Sequence, residues 1–578
     1  MQFLMRQLPQ SPRRNIAMWT ATHRWFIALA LLATLGCVDH PQATGPVGKT
    51  ATEEVGGGVT AQKLTTAGKV EIDLGETKRN LNAAGPDKKA PDTGGDSVTD
   101  GETNQEDAVG GVTERPKKKK SKTNLFKDWP QPQLVLTFSG RQHGYIEPCG
   151  CTGLAHQKGG LARRHTFLKH LRDERSWAVI PLDVGNQVRR FGRQAEMKFQ
   201  LSADAFTKLG YGAVAFGQGD LQLSIGVLGA IATDSGEGSL FTAANVSILD
   251  RSFTPRHRVV EANGLKVGVV AFLGDARRKL LEAEEIVNSP AIEQVKVAMS
   301  SLTEASCDLT VLLAHATVQE TRAVVDAISG FDLIVTAGGS QEPSYEPEVL
   351  EHGSLLIQVG AKGMHMPTLG YYPNEQVHWK YERVPLDDRF EDSKDMLEQL
   401  AVYQDQLKVL GLAGLDVVPI RHPTGRDFVG SSKCEECHET EYEIWLDTPH
   451  AHATDSLIHP KERSEIARHY DPECLSCHVT GWNPQKFFPY VSGYLGLKKS
   501  PQLVGNGCEN CHGPGSDHVA AEEGTVDADE LKIIRLRDEM KLPLANAERS
   551  CMECHDLDNS PDFHVPGAFQ NYWNDIKH

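Results

Sequence analysis

Long hydrophobic runs are scarce in this 578-residue chain: the longest near the N-terminus is Phe26–Leu35, too short to span a bilayer comfortably. Aromatics make up 7% of the residues, and residues 38–128 hold almost none. That stretch, rich in Gly, Thr, Asp, Glu and Lys, cannot bury enough apolar surface to order itself and reads as a tether. Positive charge is also in deficit. A formal net charge of −17 argues against a nucleic-acid partner. There is no disulfide framework, because nearly all of the 12 cysteines are committed elsewhere.

Eight of those cysteines form Cys434-X-X-Cys437-His438, Cys474-X-X-Cys477-His478, Cys508-X-X-Cys511-His512 and Cys551-X-X-Cys554-His555. This pentapeptide is the attachment site of a c-type haem. Two thiols add across the vinyl groups, and the adjacent His binds iron from one side. Zinc ribbons also use Cys-X-X-Cys pairs but do not require His directly after the second Cys. The reading is therefore four c-type haems, with His438, His478, His512 and His555 as proximal iron ligands.

Haem attachment needs reduced thiols beyond the cytoplasmic membrane, so export is expected. Arg6, Arg13, Arg14 and Arg24 precede the apolar run, and Gly36-Cys37 follows it. Residues 1–37 read as a lipoprotein-type signal peptide, with a lipid anchor on Cys37 of a periplasmic or membrane-anchored protein. A soluble periplasmic form and an uncleaved membrane anchor are the alternatives.

Between residues 129 and 385, short apolar runs (134–138, 177–182, 267–272, 309–313, 333–335) alternate with helical patterns near 194–209, 292–305 and 318–328. This alternation indicates an α/β layered domain. A helical connector (386–427) leads to the haem domain (428–578), which shows little regular patterning and should be mainly helical and organised by its haems.

The last domain resembles nitrifier-type tetrahaem cytochrome c modules of the multihaem cytochrome c family. The resemblance runs through Trp445-Leu-Asp-Thr-Pro-His450-Ala-His452, Cys508-Glu-Asn-Cys-His-Gly-Pro-Gly-Ser-Asp-His518 and the closing Asn571–His578. It implies His450, His518 and His578 as distal ligands, with His452 a candidate fourth. His459, His469 and His564 are left as surface or core residues. It also allows for one five-coordinate iron that would handle a small nitrogen or sulfur compound.

The middle domain resembles the metallophosphatase part of 5′-nucleotidases, a four-layer sandwich, through His143-Gly144, Gly159-Gly-Leu-Ala162, Leu182-Asp-Val-Gly185 and Ala244-Asn-Val246. The resemblance implies a dinuclear metal site, but most ligand positions differ: Arg141, Asn186, Gln218-Gly219, Gly338 and Ser340 stand where ligands are expected. His143 and His315 keep ligand character. Cys149-Gly-Cys151 beside His143 could bind one soft metal, form a redox pair or simply be buried. Electron transfer with redox partner proteins is the leading reading. A haem oxidoreductase with a small-molecule substrate is the first alternative, and a metal-dependent 5′-nucleotidase-like hydrolase the second.

Overall fold

A computed structural model describes residues 125–149, 157–233, 239–460 and 464–578. The expected signal peptide, Cys37 and most of the expected tether lie outside the described residues. Among the described residues no helix is long and apolar enough to cross a membrane.

The middle domain contributes twelve principal strands: β1 (Leu134–Ser139), β2 (Val179–Asp183), β3 (Ala213–Ala215), β4 (Phe241–Thr242), β5 (His257–Ala262), β6 (Leu265–Leu273), β7 (Leu309–His315), β8 (Leu333–Thr336), β9 (Glu348–Val349), β10 (Leu355–Gln358), β11 (His365–Tyr371) and β12 (Trp379–Pro385). They form two sheets, in the order β12-β11-β1-β2-β3-β4 and β9-β10-β8-β7-β6-β5. In each sheet the inner strands run parallel and antiparallel strands close an edge. Parallel strands covered on both faces read as continuous apolar runs, which is how β1, β6, β7 and β8 stand out in the sequence.

Alternation along each strand builds the layers. Leu134, Leu136 and Phe138 pack between the sheets against Val267, Val269, Val311 and Val335. Val135 faces the other way, toward Phe167, Phe199 and Phe206. The last three sit on helices α1 (Leu161–Lys169) and α2 (Arg193–Leu209). On the far side, Val270, Phe272 and Leu312 meet Val295, Ala298 and Val324 from α3 (Ala291–Glu304) and α4 (Val318–Ala327). The result is helix, sheet, sheet, helix, the four-layer arrangement expected. The domain starts a little earlier than residue 129: Leu125 and Phe126 are buried, with Phe126 edge-on to Trp177 at 5.4 Å.

Helix α5 (Lys394–Gly414) supplies the connector, started by Ser393, whose side chain accepts from the Met396 N–H. Its Leu400, Tyr403 and Leu407 are buried, packed by Met197 and Leu201 of α2 and by Tyr470 of the haem domain. The haem domain has short helices and a small core, centred on Phe428, Leu475, Val479, Trp482 and Tyr494.

Polar contacts fasten the haem domain to the middle domain. Lys198 donates to Glu473 at 2.7 Å, and Arg190 pairs with the same carboxylate at 2.9 Å. Gln194 donates to Asp471 at 2.7 Å. Burial opposes the charge on Lys198, but Glu473 and Asp471 outweigh it and hold its pKa above the ordinary lysine value. In the opposite sense, Arg468 of the haem domain grips both oxygens of Glu147. The Arg468 side chain is only 6% exposed, so truncating it leaves Glu147 beside a void. Glu147 keeps 21% of its side chain exposed, so Arg468→Ala is expected to cost about 1–2 kcal/mol, the range for removing one partner of a charged hydrogen bond. Denaturant unfolding at neutral pH reads the loss; an unchanged midpoint would show that the pair contributes nothing.

Candidate haem sites and the strand-end cluster

Each of the four motifs sits on or beside a helical turn: Ser431–Glu435, Pro472–His478, Cys508–His512 and Leu544–Cys551. A helical turn carries both thiols and the following His to one side of the chain, as attachment to one porphyrin requires. Backbone pegs fix these turns. Asp471 caps the second by accepting from the Glu473 N–H at 2.9 Å. Buried Glu509, inside the third motif, accepts from Gly430 N at 2.8 Å and Gly515 N at 2.8 Å. Sequence reasoning passed over Glu509 because the variable positions of the motif carry no attachment chemistry.

The rings of His478, His512 and His555 are oriented by their Nδ1 atoms. His478 Nδ1 lies 2.9 Å from the Ala453 carbonyl and His512 Nδ1 lies 2.7 Å from the Met540 carbonyl, so both donate and leave Nε2 for iron. His555 Nδ1 lies 3.0 Å from Ser560 Oγ.

Opposite three of these rings stands a second histidine. Ring centroids are 6.4 Å apart for His438 and His518, 5.7 Å for His512 and His578, and 6.1 Å for His450 and His555. An iron held between two imidazole nitrogens at about 2 Å each, with half a ring on either side, needs roughly this spacing. The residues therefore fit bis-His haem at three motifs. All three distal candidates implied by the resemblance are brought to a proximal ring. His452, the fourth candidate, precedes the helix Ala453–Ile458, and among the described residues no ring contact joins it to a motif histidine. His459 pairs with Asp455 on the surface and His469 lies over Tyr470 at 4.0 Å. His564 Nε2 lies 2.7 Å from the His555 carbonyl.

The thiols also mark which sites adjoin. Cys434 and Cys508 are in side-chain contact, as are Cys477 and Cys554, and Cys511 lies within electrostatic reach of Cys551 and Cys554.

At the carboxyl ends of the middle domain's parallel strands, the remaining candidates are placed differently. His315, at the end of β7, is buried. Its Nδ1 faces the Val184 carbonyl at 2.9 Å and its Nε2 meets the Arg277 guanidinium. Both ring nitrogens are thus engaged within the protein. Arg141 reaches across to the Ser340 carbonyl at 3.0 Å, so two of the substituted ligand positions now bond to each other. Asn186 donates through its backbone to Asp220 at 2.7 Å, and its side chain accepts from Gly219 N at 2.8 Å. Asp220 gathers three backbone N–H groups, and burial pushes its pKa up to about 7. The loops touch closely: a Cβ on Gly185 would lie 2.5 Å from Gly217 N. Cys149 pairs in a two-residue strand with Lys158, while Cys151 lies outside the described residues. Among the described residues no group of three or more His, Cys, Asp and Glu side chains is arranged to hold a metal ion.

The family "Cytochrome c554 and c-prime" matches residues 433–513, a span holding the first three motifs. Cytochrome c-554 of Nitrosomonas europaea is 38% identical over 97 residues, 15% of this chain and 39% of that protein. The chain thus spans about two fifths of the curated relative it matches. The C-terminal segment is a multihaem c-type cytochrome module. Among solved structures, a 5′-nucleotidase precursor from Thermus thermophilus is 18% identical, covering 56% of this chain and 66% of its own, with a TM-score of 0.42. The NAD nucleotidase of Haemophilus influenzae is 14% identical, covering 54% and 81%, with a TM-score of 0.38.

Buried His315 and half-buried His143 give the middle domain an acid dependence. Burial, with Arg277 beside it, pulls His315 down to about 3, and burial with Arg141 and Arg189 does the same to His143. Unfolded, both titrate near 6.5. Their contribution to stability is therefore complete above about pH 6.5 and is lost as pH falls toward 3. The urea midpoint should drop between pH 7 and pH 5, and His315→Gln should shrink that drop. An equal drop in the variant would contradict the assignment.

Proposed function

We propose that the chain is an exported tetrahaem c-type cytochrome that transfers electrons between redox partner proteins, with the middle domain as the body on which its haem domain is mounted. The observation that carries this reading is the set of three histidine pairs at single-iron spacing, each joining a motif histidine to a residue distant in sequence. At those three sites, two imidazoles on one iron would leave no coordination position for substrate, which suits electron carriage and gives lower potentials than His/Met ligation.

The thiol contacts support a continuous path. Thioether sulfurs lie at haem edges, so the first site would adjoin the third, the third the fourth, and the fourth the second. Bound haem supplies the one-electron couple. The protein supplies axial nitrogens, the hydrogen bonds that orient them and the fixed separation between sites. Export and a lipid anchor on Cys37 belong to the same proposal, supported by the apolar run that ends at Gly36-Cys37. Hydrolysis of phosphoesters is not favoured, because both nitrogens of His315 are already committed.

Electron paramagnetic resonance during a redox titration tests this. His518→Ala, His450→Ala and His578→Ala should each convert one low-spin haem to high-spin, whereas His459→Ala should change nothing. Unchanged spectra in the first three variants would refute the ligation. A wild-type high-spin haem that binds nitrite would move the assignment to the oxidoreductase alternative.

A further inference from the structure

The loop after the fourth motif is held from both sides. Asp556 Oδ1 accepts from Asp558 N at 2.9 Å and Asn559 N at 2.7 Å, folding the chain back on itself. Ser560 N then donates to the Asp556 carbonyl at 2.8 Å. That turn places Ser560 Oγ, on a residue only 2% exposed, 3.0 Å from His555 Nδ1.

The outward-facing member of the turn, Asp558, is taken by the middle domain. Arg189 donates to its Oδ2 at 2.7 Å, and Lys362 Nζ pairs with Oδ1. Lys362 is a firm anchor. Its side chain is 11% exposed, its backbone N–H donates to the Arg141 carbonyl at 2.7 Å, and its φ of 57° fixes it in a left-handed turn. Between them the two cations hold the Asp558 carboxyl down at about 2, so it is charged at any physiological pH.

We propose that Lys362 and Arg189 position, through Asp558, the turn that presents Ser560 to His555, and thereby set the reduction potential of the haem bound at Cys551–His555. This rests on the electron-transfer reading above. Lys362, Arg189 and Asp558 act through the turn rather than on iron; they are positioning residues. A hydrogen bond accepted from the Nδ1–H of an iron-bound imidazole makes that imidazole a stronger donor, which favours ferric iron and lowers the potential. Loosening the turn weakens that bond, and the potential rises.

The alternative is plain Coulomb interaction across a docking ion pair, and the two differ in sign. Removing the Asp558 charge raises the potential under either account. Removing the Lys362 charge lowers it if only Coulomb interaction acts, but raises it if the turn is being positioned.

The experiment is a potentiometric titration of the full-length, haem-loaded chain, comparing Ser560→Ala, Asp558→Asn, Lys362→Met, Lys362→Arg and the Asp558→Asn/Lys362→Met double variant, with haem content measured for each. Ser560→Ala, Asp558→Asn and Lys362→Met should all raise the potential of the same single haem. The double variant should move it no further than Asp558→Asn alone, and Lys362→Arg should restore the wild-type value. A lowered or unchanged potential in Lys362→Met would overturn the proposal, as would a Ser560→Ala potential equal to wild type. If Lys362→Met fails to mature, Arg189→Gln carries the same prediction. Wild-type haems that titrate but do not pass electrons to one another would contradict the electron-transfer reading instead, leaving this comparison of potentials intact.

Discussion

The pairing of motif histidines with histidines from distant parts of the chain is the contact around which the haem domain is organised. Its aliphatic core is small, and its helices are short, several of them five to eight residues. Helices of that length are not stable alone. The helix Ser516–Glu522 carries His518 to the first motif and His578 meets the third, at the spacing that one iron between two nitrogens would need. Glu509 ties the third motif to the backbone at Gly430 and Gly515, and the Nδ1 bonds of His478 and His512 orient those rings so that Nε2 would face a metal.

A second constraint is electrostatic. The middle domain offers Arg189, Arg190, Lys198 and Lys362 to the haem domain, which answers with Asp471, Glu473 and Asp558. The cations lie near the carboxyl ends of the parallel strands, where an α/β sheet ordinarily receives ligands. Here that edge receives another part of the same chain. His315 there is buried with both ring nitrogens engaged, and Arg141 bonds to the Ser340 carbonyl, so the residues at this edge are occupied with one another and with the haem domain.

What was legible in the sequence follows from where its signals are local. The haem motifs are contiguous, and the buried parallel strands are continuous apolar runs, so both could be read directly; β1, β6, β7 and β8 match expectation to within two residues at either end. The antiparallel pair β11 and β12 escaped notice, because His365-Met-Pro-Thr-Leu-Gly-Tyr371 mixes polar residues, Pro and Gly with apolar ones. Leu125 and Phe126 escaped because they follow a lysine-rich tract that sets the local composition. The distal histidines were chosen by resemblance, since seven spare histidines in the domain leave pairing undetermined. The contacts of Glu147 with Arg468 and of Lys362 with Asp558 had no signal at all, because charged residues far apart in sequence look like ordinary surface.

The central claim is that eight sulfurs near the C-terminus are bonded to four porphyrins. Intact-mass spectrometry of the denatured chain, purified from a host able to mature c-type cytochromes, addresses it most directly. Covalent haem survives denaturation, so the account predicts a mass above the processed polypeptide by four haems. A colourless chain at the bare polypeptide mass, or one carrying metal but no porphyrin, would contradict it.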